Sequence, residues 1–313
     1  ALQYICANDV AVPPGRIVYT QWLNERGGIE ADLTVTRLSD ETYLVVTGAA
    51  VARRDLDWLT RHLPAEARVS VTDVTSATAV LGVMGPNSRA LLAKLSDADL
   101  STEAFPFGAA REIEIGAARV WALRVTYVGE LGWELYVPSE FSGGVFDRIM
   151  AEGTAFGLKL AGMHVLDSCR IEKAYRHWGH DITDEDNPVE AGLTFACRPD
   201  KNLPFIGREA LLRQLERGVT KRLVQFALDD PEPLLYHNEP ILRDREIVGY
   251  VTSGNYGHSL GRAIGLGYVN HAGGVDAEYI RAGRYEIEIA GERFPAKASL
   301  RPLYDPAAER VRS

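Results

Sequence analysis

The stretch LNERGGIEADLTVTRL, residues 23–38, decides how the first half of the chain is read. A Gly-Gly pair closes one segment and an alternating run follows. Successive side chains of a strand point to opposite faces, so Leu33 and Val35 share one face while Asp32, Thr34 and Thr36 share the other. Aspartate is depleted in strands, and two readings fit its place here. A solvated face of an antiparallel sheet accommodates an Asp with two threonines. A carboxylate lining a cleft beside a cationic or nucleophilic nitrogen would instead accept a proton or stabilise positive charge.

Outward from this stretch, RIVYTQWL (residues 16–23) and IEADLTVTRL (29–38) read as a strand pair joined across residues 24–28. TYLVVTG is a further buried strand, and residues 50–62 have the apolar spacing of an amphipathic helix. TAVLGVMGPNSRALLAKL (78–95) reads as a strand, a Gly-Pro turn and a helix, with Pro86 suited to the helix start. REIEIGAARVWALRVTYVG and WELYVP are strands, a helix spans about 140–155, and AGMHVLDSCRIEKAYR is a second long helix. Residues 200–217 form a loop and a last helix. Short strands with turn residues at regular spacing follow, the pattern of a small antiparallel barrel or sandwich. The expectation is an α+β protein with domains at 1–217 and 218–313, and a charged, loose tail after LYDP.

The 313 residues are 46% hydrophobic and 25% charged, ordinary globular usage with enough chain to bury a core. A net charge of −9 and a pI near 5.4 offer no basic stripe for phosphates, which argues against a nucleic-acid partner. Cys6, Cys169 and Cys197 are odd in number and far apart, so they form no disulfide framework and no CxxC motif. No apolar run of about 18 residues exists to span a membrane, and no signal peptide is present. The expected location is cytoplasmic, or the mitochondrial matrix in a eukaryote. The sequence opens ALQYICANDV, without Met and at helical spacing, which suits the C-terminal piece of a longer polypeptide. The later ALLAKLSDADL weakly echoes it, as if a first copy had lost its strand and turn.

Three more places carry candidate chemistry. In TYVGELGWELYV, Gly129 and Gly132 allow a turn that brings Tyr127 and Glu134 to one pocket. Glu134, flanked by Trp133 and Leu135, either reads an N–H pair bidentately or is the outward Glu of an ordinary hairpin. Arg170 falls on a helix face with Met163, Leu166 and Ala174 and needs a partner, either a ligand anion or Asp167 one turn earlier. Glu172 and Arg176 read as a surface pair. His177 and His180 lack a third ligand at zinc spacing, so no metal is expected. GNYGHSLGRAIGLGY contains no dinucleotide fingerprint.

Taken as a set, PPGRIVYTQWLNERGGIEADLTVTRL, GVMGPNSRALL, ADLSTEAFPF, VTYVGELGWELYVP, DSCRIEKAYRHWGHDITDEDNPVEAGLTF, PFIGREAL and GYVTSGNYG resemble the folate-dependent aminomethyltransferase superfamily, which includes the glycine-cleavage T-protein. The resemblance is nearer to the C-terminal half of sarcosine and dimethylglycine dehydrogenases, particularly in IEKAYRHW and LSTEAFPF. It implies a folate-binding α+β region in two related lobes followed by a β-barrel. By the same resemblance Asp32 matches the family's essential carboxylate beside the reacting nitrogens of tetrahydrofolate, with Thr34 on the same face. Tyr19 matches a cleft tyrosine, Tyr127 and Glu134 the pair that holds the pterin, and Arg170 an arginine near the folate.

The implied chemistry starts in a flavin domain, which oxidises an N-methyl amine to a reactive iminium or methylene adduct. A tetrahydrofolate nitrogen then takes the one-carbon unit, Asp32 accepts its proton or stabilises the adjacent positive charge, and 5,10-methylenetetrahydrofolate forms with the demethylated amine. FAD is implied only for an upstream domain or a flavoprotein subunit, since its Gly-rich motif is absent from these residues. So are the family strands that normally precede ALQYICANDV. Thr47 stands where the T-protein branch usually has Asn, and Thr36 where it can place Tyr; both fit the dehydrogenase branch. Two alternatives remain open: a stand-alone aminomethyltransferase working with a lipoyl carrier, and a non-catalytic module that docks a flavin subunit.

Overall fold

The computed structural model describes residues 1–313. The first lobe runs α1 (Leu2–Ile5), β1 (Arg16–Leu23), β2 (Ile29–Arg37), β3 (Tyr43–Val46) and α2 (Ala52–Arg61), with its strands in antiparallel order β1-β2-β3. The Gly-Gly pair lies in the β1–β2 turn, as the spacing of the two strands predicts. Gly27 has φ +84°, and a Cβ on Gly28 would stand 1.9 Å from the Asp184 carbonyl oxygen, so neither position accepts a side chain. Asn24 ties the turn through Oδ1, which accepts from the backbone N–H of Arg26 and Gly28. This turn fixes the register that puts Leu33 and Val35 into a core with Trp22, Ile5 and Leu59. A slip of one residue would put Asp32 into that core and forfeit about 1.5–3 kcal/mol for each apolar side chain turned out. The opening helix is a single turn, because Cys6 leaves it to bridge to Trp22.

The second lobe contains β4 (Thr78–Met84), α3 (Ser88–Leu95), β5 (Ala110–Ile115), β6 (Ala118–Leu123), β7 (Gly132–Pro138) and α4 (Ser142–Gly153), with sheet order β4-β7-β6-β5. Trp133, Leu135 and Val137 point from β7 into the core under α3 and α4. By strand alternation Glu134 and Tyr136 therefore point the other way, toward the first lobe. There Tyr136, Trp121 and Leu123 pack with Ile17, Leu44 and Val46. The two sheets thus meet face to face at one end.

Two helices bridge the lobes to the last domain, α5 (Met163–Glu172) and α6 (Arg208–Arg217). The long helix expected through Arg176 stops at Glu172. Ala174 takes φ +54°, Tyr175 N–H donates to the Arg170 carbonyl and Ala174 N–H to that of Ile171, a Schellman ending built on Ala instead of Gly. Strands β8 (Lys221–Leu228), β9 (Pro240–Arg243), β10 (Glu246–Gly257), β11 (Arg262–Asn270), β12 (Tyr285–Ile289) and β13 (Glu292–Ser299) form a closed barrel, so the sandwich alternative falls. Two short helices follow where none was expected, α7 (Ala277–Ala282) within the barrel sequence and α8 (Glu309–Arg312) in the tail.

The tail is docked, not loose. Asp305 pairs with the buried Lys173 at 2.8 Å, Val311 is buried, and the Ser313 carbonyl accepts from Arg124 Nη2 at 2.6 Å. No helix is long and apolar enough to cross a membrane.

Candidate functional site

The polar face of β2 carries the partly open side chains of Asp32 and Thr34. In the β1–β2 register Tyr19 lies across from Thr34 and Gln21 across from Asp32, so these four side chains share one face. Asp32 Oδ1 accepts from Gln21 Nε2 at 2.8 Å. Asp32 keeps part of its surface open, yet enough protein surrounds the carboxyl to raise it to about 6. Tyr19, Gln21 and the Arg176 guanidinium each hold it back from rising further. Burial, then the neighbouring Asp32 charge, keeps the Tyr19 hydroxyl protonated far beyond neutral pH. Exposed Phe195 stands beside the Tyr19 ring, centroids 6.0 Å apart. The Asp32 carboxyl is thus more enclosed than one on a fully solvated sheet face.

Tyr127 belongs to the same group. Its ring stacks with Tyr175 at 6.1 Å and 14°, and its hydroxyl donates to the Arg176 carbonyl at 2.8 Å. Burial raises the Tyr127 hydroxyl, and the Asp32 charge adds to the rise. Glu134 stands apart from these residues on the facing sheet. Its flanking Trp133 and Leu135 lie on the opposite face, so the apolar neighbourhood inferred from adjacency is not the cause of its environment. Burial between the sheets is, and it raises the carboxyl. The Tyr136 hydroxyl donates to Glu134 Oε2 at 2.8 Å, and Oε1 has no protein partner.

Arg170 is placed differently from the expectation of a ligand contact. It is 2% exposed, and every nitrogen is engaged inside the protein. The Asp167 carboxylate takes Nε and Nη2, Asp181 and the Tyr175 carbonyl take Nη1, and Ser253 Oγ lies 2.7 Å from Nη2. The reason is Asp181, which is 0% exposed and needs a cation. Glu172 and Arg176 are no surface pair either. Glu172, 2% exposed, accepts the backbone N–H of Ser259 and Leu260, and Arg176 donates to the Ala174 and Ala191 carbonyls. His177 and His180 stack at 4.4 Å, and no group of three or more His, Cys, Asp or Glu is placed to hold a metal ion.

Besides Phe195, four neighbours of the site are not predicted from the sequence: Gln21, Tyr136, Tyr175 and Arg176. Two had a signal. Tyr136 is two residues from Glu134 on the same strand, and Gln21 becomes the cross-strand partner of Asp32 once the turn length fixes the register. Tyr175 and Arg176 had none, because their positions depend on where α5 ends.

Residues 1–201 match the GCVT N-terminal domain, and residues 221–305 match the glycine cleavage T-protein C-terminal barrel domain. Over 310 residues the chain is 42% identical to a Paenarthrobacter nicotinovorans protein described as 4-methylaminobutanoate oxidase (formaldehyde-forming), covering 99% of this chain and 37% of that one. Human mitochondrial sarcosine dehydrogenase is 37% identical over 328 residues, covering 100% of this chain and 36% of that one. The chain therefore spans a little over a third of the length of these two relatives. Among solved structures, glycine cleavage system aminomethyltransferase T of Bartonella henselae superposes with a TM-score of 0.82 at 26% identity, over 97% of this chain and 81% of that one. With both lobes and the barrel matched in one order along the sequence, the chain belongs to the glycine-cleavage T-protein family.

Proposed function

We propose that this chain is the tetrahydrofolate-dependent one-carbon acceptor part of a flavin-dependent N-methyl amine dehydrogenase of the sarcosine and dimethylglycine type. The flavin belongs to an upstream domain or a partner subunit. One observation carries the reading: two carboxylates raised by burial, Asp32 and Glu134, project from facing sheets, and both are residues the sequence resemblance matches to the family's folate contacts.

The residues fit that group. Glu134 has Oε1 free to accept from the N–H edge of a pterin, and the stacked Tyr127 and Tyr175 offer an aromatic wall. Tyr19, Thr34 and Phe195 line the opposite side near Asp32. Tetrahydrofolate, when bound, supplies the nitrogen nucleophiles for a one-carbon unit. Asp32 near 6 is largely ionised at neutral pH and lies close to the operating pH, the condition for an effective general base. It accepts a proton on the oxygen that Gln21 does not hold. Tyr127 and Arg176 act behind it, and Arg170 holds α5 against the barrel without touching ligand. Keeping acceptor and one-carbon unit in one cleft raises their effective concentration and limits escape of the carbon.

Calorimetric titration with 5-formyltetrahydrofolate tests this reading. Saturable one-to-one binding that weakens at least tenfold in Glu134→Ala is expected; no binding by the intact chain would reject it. The likeness to aminomethyltransferase T favours a second reading, transfer from an aminomethyl-lipoyl donor. Turnover of that donor would establish it. Thr36 and Thr47, standing where that branch places Tyr and Asn, weigh against it.

A further inference from the structure

We propose that Gln21 is the positioning residue of the cleft: its amide, fixed from behind by Cys197, aims the Asp32 carboxylate and favours its ionised form. The proposal rests on Asp32 being the cleft base, as argued above.

Gln21 is 0% exposed on β1, directly across from Asp32. Its backbone carbonyl accepts from Ala7 N–H at 2.8 Å, which anchors this point of the strand against the segment after α1. The side chain spans two partners. Nε2 lies 2.8 Å from Asp32 Oδ1, and Oε1 lies 3.7 Å from Cys197 Sγ, which is itself 3.9 Å from the Leu193 carbonyl. An amide has one donor end and one acceptor end, so its neighbours decide which way it points. An ionised carboxylate only accepts. The Cys197 thiol, pushed up to about 12 by burial, keeps its proton and donates. Both neighbours select the same orientation, with N–H toward Asp32.

Of the other groups near Asp32, Arg176 and Tyr127 are committed elsewhere, and Tyr19 bears on the carboxyl directly. Arg176, from the segment after α5, gives its N–H groups to the Ala174 and Ala191 carbonyls. Tyr127 gives its hydroxyl to the Arg176 carbonyl. Tyr19, from β1, keeps its proton, lies against the carboxyl and also favours its ionised form. Gln21 shares that effect with Tyr19, while its own orientation is the one fixed from behind. Chemistry explains why an amide suits this place. A Lys or Arg would form an ion pair and hold the carboxyl ionised far below neutral pH, leaving a weak base. An apolar residue would let burial raise it until it no longer sheds its proton near pH 7.

The test uses the ligand-free full chain labelled with 13C at the aspartate carboxyls, with the Asp32 signal assigned by its loss in Asp32→Asn. In the unaltered protein the Asp32 signal should titrate near pH 6. Gln21→Met, of similar volume but without the donor, should raise that midpoint by about one pH unit. Cys197→Val should raise it as well, whereas Cys197→Ser, which keeps a donor, should leave it in place. An unchanged midpoint in Gln21→Met overturns the proposal. Should Gln21→Met fail to fold, the unaltered protein decides: the Gln21 side-chain 15N amide signal must titrate with the Asp32 midpoint, and a flat amide signal overturns the proposal equally. None of these readings uses a folate, so failure of the folate assignment and failure of the Gln21 assignment are seen separately.

Discussion

Two regions of this molecule bury charge, and they treat it in opposite ways. At the junction of α5 with the barrel, Arg170, Asp181 and Glu172 are each at most 2% exposed and are met by hydrogen bonds. On the two facing sheets, Asp32 and Glu134 are less deeply buried yet less fully met, and both carboxyls are raised. Residue type and depth alone do not separate structure from function here. What separates them is whether the protein supplies the partners. A satisfied buried charge orders the fold, and an under-satisfied one at an opening is ready for chemistry.

The largest effect is expected where the satisfied side is broken. Arg170→Met removes the cation from Asp181, which then keeps only the His177 N–H and the Thr252 hydroxyl. Loss of one partner of a buried pair costs about 3–5 kcal/mol, read as a drop in the urea midpoint at pH 7. Adding Asp181→Asn should recover a large part by removing the stranded charge. A loss under about 1 kcal/mol in the single variant would place Arg170 among exposed pairs and erase the contrast between the two regions.

The cleft should respond with the opposite sign. Between the ordinary carboxylate value of 3.8 and about 6, folded Asp32 binds more proton than unfolded Asp32. Stability from this residue is therefore full below pH 4 and falls as pH rises through 6. A shift of about two units corresponds to roughly 3 kcal/mol as an upper figure, reduced by the part of Asp32 open to water. Asp32→Asn should accordingly stabilise the chain by about 2 kcal/mol at pH 7.5 and hardly at all at pH 4, while abolishing one-carbon transfer. Urea unfolding at the two pH values checks it; equal stability at both would show that Asp32 bears no burial cost.

How much of this contrast was legible in the sequence follows from the range of the interactions involved. The faces of β2 were readable because alternation is local, and the barrel strands because their turns are. The end of α5 was not. Its terminating residue is Ala174 in a left-handed conformation, where a glycine would have announced the stop. Misplacing that end sent Arg176 to the surface and hid its nearness to Asp32. The partners of Arg170 come from Asp181 and, 83 residues away, Ser253, so one helix face could offer only Asp167. The setting of Glu134 is not legible from its sequence neighbours, because Trp133 and Leu135 lie on the other face of the strand.

The finest test of the comparison lies between the two regions, at Thr36. It shares the cleft face of β2 with Asp32, but it sits where the two sheets close, at 0% exposure, with a hydroxyl that has no protein partner. If unmet polarity marks function only at an opening, this buried hydroxyl is a small structural cost and nothing more. Thr36→Val keeps the shape and removes the unmet group, whose penalty is about 1 kcal/mol. The expected outcome is a gain of up to about 1 kcal/mol in urea unfolding, with binding of 5-formyltetrahydrofolate unchanged within twofold. A loss of stability would mean that a water bridges the hydroxyl between the sheets. A loss of binding at unchanged stability would extend the cleft inward past Thr34, and make the Thr in place of the other branch's Tyr a determinant of what the cleft admits.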